Sequence, residues 1–311
     1  LLIANWQVVT ILGTIILIYT HGSGPARKPD PCRLNGSKPT KGTPRVISNL
    51  DGKQINGNKI MLHRFCTPSR TGEPIRSAYN FGDYSDIKVM KRRDDLLDLA
   101  KKYLKAGVLK NNIVLTGTSA GGFASLLAQA EKPASIGMVI SFVPAFAGKR
   151  INRNYKDEEV DSIIKSIIGD AEGMNALVFS NENDPYDRPA DLLGWKNNKG
   201  IKIEPIHENS IEGEQCSLSP HALAFDKCFF NKKRNLIEKF IKQNSFDYET
   251  GSANRETSSS NEKENIAALE RKQKDFKERK MISDQIKQLK NQINLLQKKL
   301  ETLKQKLETE N

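Results

Sequence analysis

Three short stretches of this chain hold side chains able to perform acyl-transfer chemistry. The first is Gly117-Thr-Ser119-Ala-Gly121, entered from the apolar, β-branched run Ile113-Val-Leu-Thr and followed without interruption by a helical pattern from Gly121. A serine between strand and helix presents its hydroxyl above a sheet only if small residues two before and two after it let neighbouring chains clear the bend. The helix start beside it adds positive potential where an oxyanion would form. A structural reading, with Ser119 as a simple helix N-cap, uses the same residues.

The second stretch, Tyr19-Thr-His21-Gly22-Ser23-Gly24, follows the first apolar run. A His-Gly-x-Gly loop can aim backbone N–H groups at a developing oxyanion, which designates the amides of Ser23 and Ala120 as donors. The third supplies an acid. Asp184 stands in Asn181-Glu-Asn-Asp184-Pro-Tyr-Asp187 at the end of the run Ala176–Ser180, with Asp187 further out and placed to cap the next helix. Asp184 is favoured over Asp187 for its place in the tight turn. A base must lie between serine and acid. Of four histidines, His21 belongs to the glycine loop and His63 to a strand. His207 ends the last strand, and His221 lies in a loop before the final helix. A loop histidine can reach over a site, so His221 is favoured over His207.

The elements that would position these groups can be read from pattern. Apolar runs at Ile15–Tyr19, Lys59–Phe65, Asn112–Leu115, Ile136–Phe142, Ala176–Ser180 and Ile201–Ile206 alternate with helical periodicity. Helical segments are expected at Ile87–Leu104, Gly121–Ala130, Val160–Ile168 and Asn235–Ile241. This alternation specifies an α/β fold with a mostly parallel sheet of about six strands. Gly22–Asn58 is rich in Pro, Gly and Lys and reads as loop with little regular structure.

Four divisions follow. Residues 1–14 are a hydrophobic N-terminal segment and 15–243 the α/β domain. Residues 244–265, with Gly-Ser and Thr-Ser-Ser-Ser, are a flexible linker. Residues 266–311 form a coiled-coil helix, whose seam Ile282, Ile286, Leu289, Ile293, Leu296, Leu300, Leu303, Leu307 steps by four and three. Its flanking positions carry Lys and Gln but no acid. This disfavours a parallel homodimer and leaves antiparallel self-association or an acidic partner helix.

The chain is basic, with net charge +12. Its lysines are spread along the whole length among acids and seldom alternate with aromatics, so nucleic-acid binding is not expected. The first nineteen residues carry no charge, as in a signal remnant or membrane anchor, and export is expected. Four cysteines suit an exported chain with Cys32–Cys66 and Cys216–Cys228 disulfides, although four buried thiols fit equally. No Cys or His cluster has metal-ligand spacing, so neither metal nor cofactor is expected.

The order Ser119, Asp184, His221 and the contexts of these residues resemble the α/β-hydrolase superfamily over Ile15 to Gln243. The similarity is greatest to small dienelactone-hydrolase-like and esterase-like members. Ser119 stands where dienelactone hydrolases usually carry cysteine, no counterpart of the family's first two strands is read in this sequence, and no lid-sized insertion follows Phe142. The resemblance implies a serine hydrolase that cleaves a carboxylic ester, or a related acyl bond, through an acyl-enzyme. The alternative is a catalytically idle scaffold acting through its coiled coil.

Overall fold

A computed structural model of the chain describes residues 13–22, 43–65, 88–207, 210–211, 214–215 and 219–247. The coiled-coil segment, most of the linker, the hydrophobic residues 1–12 and the oxyanion candidate Ser23 lie outside the described residues. So do Cys32, Cys66 and Cys216, and with them both expected disulfide pairings. The chain divides into two units, Leu1–Ser252 and Ala253–Asn311; all structure below belongs to the first.

The strands are β1 (Thr14–Thr20), β2 (Gln54–Ile55), β3 (Asn58–Phe65), β4 (Ile113–Thr118), β5 (Met138–Phe142), β6 (Ala176–Asn181) and β7 (Ile201–Ile206). A separate small hairpin pairs β8 (Ser210–Ile211) with β9 (Glu214–Gln215). The helices are α1 (Arg45–Ser48), α2 (Lys88–Lys105), α3 (Ala120–Glu131), α4 (Tyr155–Gly169), α5 (Leu193–Lys196) and α6 (Lys227–Asn244). All six expected strands form, with ends shifted by a residue or a few.

The main sheet has seven strands in the order β2-β3-β1-β4-β5-β6-β7, one more than the six expected. The addition is β2, whose two residues pair antiparallel with the start of β3 at the sheet edge. Every other neighbour is parallel. Two residues are too few to show an alternating pattern, so β2 was invisible to periodicity. The same applies to α1, a single turn within the span read as loop. Both are the little regular structure found among the described residues of the span Gly22–Asn58.

The strand residues are apolar on both faces because helices cover both. Along β1, Ile16 and Ile18 enter one core while Ile15, Leu17 and Tyr19 enter the other. The same alternation separates Leu115 from Val114 on β4 and Val178 from Leu177 on β6. A parallel sheet buried on both sides therefore reads as continuous apolar runs rather than as polar–apolar alternation. The first core is closed by α2, α3, α4 and α5 through Leu96, Phe123, Ile164 and Trp195. The second is closed by α1 and α6 through Ile47, Phe229, Ile237 and Ile241. Among the described residues, no helix is long and apolar enough to cross a membrane.

Parallel register aligns the carboxyl ends of the central strands. Thr118 of β4 is level with Phe142 of β5, and Phe142 with Phe179 of β6. The loops that leave β4 and β6 therefore emerge on one edge of the sheet, two strands apart. At parallel-strand spacing that is about 10 Å.

Candidate active site

Ser119 occupies the bend between β4 and α3 with φ 52° and ψ −127°. A non-glycine residue there is strained by about 1–3 kcal/mol, and the strain persists only because the surroundings impose it. Its N–H donates to Phe142 O at 2.9 Å, and its carbonyl accepts from Phe123 N at 2.9 Å. The bend is thus fixed to β5 on one side and to the first turn of α3 on the other. The side chain of Ser119 makes no capping hydrogen bond to α3, so the N-cap explanation of this serine fails.

The flanking glycines are required by contact. A Cβ on Gly117 would lie 2.5 Å from the Gly121 carbonyl carbon. One on Gly121 would lie 2.4 Å from Thr20 O and 2.5 Å from His21 O. The end of β1 therefore packs directly on the start of α3, and the glycine loop is brought to the serine. A Cβ on Gly22 would sit 3.0 Å from Ser119 Cβ and 3.7 Å from its Oγ. Of the two oxyanion candidates, Ala120 is the first residue of α3, where N–H groups lack intrahelical acceptors. Ser23 is beyond the described residues, one position past Gly22.

The glycine loop is held from below by Arg92 of α2, which is 1% exposed and donates from Nη1 to His21 O at 2.5 Å. Burial lowers this guanidinium to about 10, while Tyr19 and Asp95 work in the opposite direction. It remains a cation at neutral pH. Tyr19 shares a hydrogen bond with Thr118 Oγ1 at 3.2 Å, one residue before the serine. Burial pushes its phenol well above the usual range. His21 itself donates from Nδ1 to Gly22 O at 2.6 Å.

Asp184 and His221 meet. Their contact, His221 Nδ1 to Asp184 Oδ2, is 2.7 Å. Asp184 is fully buried, and its other oxygen accepts the Tyr186 N–H at 2.7 Å. A carboxylate so placed makes Nδ1 the donor nitrogen of His221 and leaves Nε2 with its lone pair. The Tyr186 ring also packs on the imidazole, with centroids 4.2 Å apart and planes inclined at 39°. His221 itself lies on a 3₁₀ turn, Pro220–Phe225, anchored by the buried Leu223 and Ala224. Asp226 then caps α6 by accepting from Cys228 N at 3.0 Å. Just inside α6, Phe229 packs edge-on against Phe142 and Phe179, themselves stacked 5.5 Å apart across β5 and β6. This aromatic trio ties the histidine-bearing segment to β5, the neighbour of β4, and to β6, which leads into the Asp184 turn.

The alternatives do other work. His207 pairs with Glu182 at 2.7 Å and its side chain is 71% exposed. His63 bonds the Tyr103 hydroxyl at 2.6 Å on β3. Asp187, expected to cap the next helix if not catalytic, caps nothing. It is wholly buried, with Oδ1 2.7 Å from Lys165 Nζ and 3.1 Å from Arg153 Nη2. Both cations also reach Asp161, at 2.6 and 3.4 Å. Burial first, then the nearby Asp187 charge, raises the Asp161 carboxyl above its usual range, against the pull of Lys165 and Arg153. The next turn, Pro189–Leu192, is instead entered by Arg188, whose N–H donates to Asp191 Oδ2 at 2.8 Å.

Sequence reasoning missed Tyr186, Arg153 and Arg92. Arg92 left a trace, since it sits one turn from Val89 and Leu96 on the buried stripe of α2. A cation on an apolar helix face is a signal of this kind. Val143 was also missed: it has φ 42° directly after β5, level with Ser119, a second strained position beside the bend.

With a parallel sheet, helices on both faces and a strained serine at the strand–helix bend, the architecture is settled. This is an α/β-hydrolase fold. No family model matches the chain, and no curated protein matches it. Similar solved structures include an α/β-superfamily protein of Xanthomonas campestris pv. campestris, 15% identical. It matches over 73% of this chain and 96% of that one with TM-score 0.39. Est1E from Butyrivibrio proteoclasticus is 15% identical over 74% and 86%, TM-score 0.42. The thermophilic esterase Est2 of Thermogutta terrifontis, with propionate bound, is 14% identical over 77% and 86%, TM-score 0.44.

Proposed function

We propose that this α/β-hydrolase domain is a serine hydrolase that cleaves carboxylic esters with Ser119 as nucleophile, His221 as base and Asp184 as orienting acid. The observation that carries the reading is the 2.7 Å bond between His221 and the buried Asp184. It joins residues from separate loops on the sheet edge where Ser119 is held in a strained bend.

In this mechanism His221 Nε2 takes the Ser119 proton as Oγ attacks the carbonyl carbon. Asp184 keeps the ring in the required tautomer and favours the imidazolium that forms. The Ala120 and Ser23 amides receive the oxyanion, their loops braced by the Gly121 and Gly22 contacts. Collapse expels the alcohol, protonated by His221, and water then releases the acid from the acyl-enzyme. A bend fixed at the end of β4 and an imidazole held by the turn after β6 need little reorganisation at the moment of reaction.

Turnover of p-nitrophenyl acetate and labelling by a fluorophosphonate probe test the reading. Both should vanish in Ser119→Ala while the fold survives; unchanged turnover and labelling in that variant would reject it. The heptad seam Ile282–Leu307 favours a second reading, a scaffold that acts by self-association or through a partner helix. Absence of labelling in the wild-type protein would select it. With the apolar residues that precede β1 the enzyme is exported or membrane-associated, and carbonate extraction of membranes separates the two.

A further inference from the structure

We infer that Tyr186 is a positioning residue for His221, fixing by one side chain and one amide the two downstream members of the proposed triad. The inference rests on the serine-hydrolase reading for its consequence, although not for its geometry. The sequence Asp184-Pro185-Tyr186 folds so that the Tyr186 N–H closes on Asp184 Oδ1 at 2.7 Å. That bond holds the carboxylate with Oδ2 towards His221. The ring of the same residue lies against the imidazole at 4.2 Å.

A histidine hydrogen-bonded through Nδ1 alone is still free to rock about that bond. The Tyr186 ring, packed against the imidazole with the planes inclined at 39°, limits this rocking by direct contact. Tyr186 can serve as a wall because its own backbone is pinned. Its carbonyl accepts from Arg153 Nη2 at 2.9 Å, and the preceding Pro185 carbonyl accepts from Arg150 N at 3.0 Å. Arg153 in turn is bound to Gly148 O, Asp161 and Asp187. The buried charge cluster behind the acid turn thereby acts on the imidazole through Tyr186.

The ring, rather than the hydroxyl, carries this role, so Tyr186→Phe and Tyr186→Leu should separate. Tyr186→Phe should keep kcat for p-nitrophenyl acetate within about threefold of the parent. Tyr186→Leu, apolar but smaller and not flat, should lower kcat about 10- to 100-fold with KM changed far less. Proton NMR supplies a readout that a purely structural role would not move. The downfield Nδ1–H resonance of His221 should persist in Tyr186→Phe and broaden or disappear in Tyr186→Leu at unchanged melting temperature. Parent-like kcat in Tyr186→Leu, equal losses in both variants, or a loss confined to KM would overturn the inference. If Tyr186→Leu does not fold, Tyr186→Met is read by the same criteria. Failure of the hydrolase reading is distinguishable, because the parent would then show no Ser119-dependent turnover while the Nδ1–H resonance still reported on Tyr186.

Discussion

The bend at Ser119 and the turn at Asp184 sit two strands apart on one sheet edge, and they are held by different forces. The bend is shaped by missing atoms: Gly117 and Gly121 each leave space that a methyl group could not share with neighbouring backbone, and Gly22 lies tight against the Ser119 Cβ. The acid turn is shaped by charge, with Arg153 and Lys165 reaching from the α4 side to buried carboxylates at Asp161 and Asp187. Steric exclusion leaves a mark in consecutive residues. An ion cluster assembled from residues 153, 161, 165 and 187 leaves almost none. The difference teaches where strain and charge are each suited: a nucleophile needs one enforced backbone geometry, while an acid needs a carboxylate held at a fixed distance from an imidazole.

Several substitutions sharpen or break that contrast. The largest expected effect is Ser119→Ala, which should reduce kcat/KM by at least about 10⁴-fold with little change in melting temperature. Next comes the pair of carboxylates three residues apart. Asp184→Asn should cost on the order of 10⁴-fold in kcat, because the amide favours the wrong tautomer, and should leave most stability intact. Asp187→Asn should do the reverse, removing one partner from a buried cluster and costing about 3 kcal/mol in urea denaturation. An outcome with the two roles exchanged would undo the assignment of the acid.

On the steric side, Gly121→Ala forces a methyl group to within 2.4 Å of Thr20 O. It should destabilise by about 1–3 kcal/mol through overpacking and also lower activity, since the glycine loop must move away from Ser119. The smallest effect serves as a control away from both regions. Burial lowers the His63 pKa below its ordinary value. Below about pH 6.5 the unfolded chain binds a proton that the native state does not, so His63 subtracts stability as pH falls. His63→Gln should therefore flatten the decline in melting temperature between pH 7 and 5, without altering the pH profile of kcat.

The legible parts were those encoded over short spans. Strands β1, β3 to β7 and helices α2, α3, α4 and α6 follow from apolar periodicity, and the bend from Gly-x-Ser-x-Gly in its strand–helix setting. The Asp184–His221 meeting was inferable only as an order along the chain; its geometry depends on the Phe142, Phe179 and Phe229 contacts, which no local pattern announces. Short elements escaped altogether, since β2 and α1 are too brief to repeat a period. Asp187 was misread because a solvent-facing cap and a buried counter-ion look alike in one dimension. Its partners, Lys165 on α4 and Arg153 just ahead of that helix, decide between them, and they are more than twenty residues upstream.

The position of β1 between β3 and β4 has a consequence for how the amino terminus can be cut. An edge strand could be trimmed at modest loss, but β1 is interior and its backbone is bonded on both sides. Proteolysis that entered Thr14–Thr20 would part β2 and β3 from the other four strands and strip the support from under Gly22. Any maturation of this protein must therefore stop short of Thr14, and a variant beginning at Tyr19 should fail to refold however intact its chemistry.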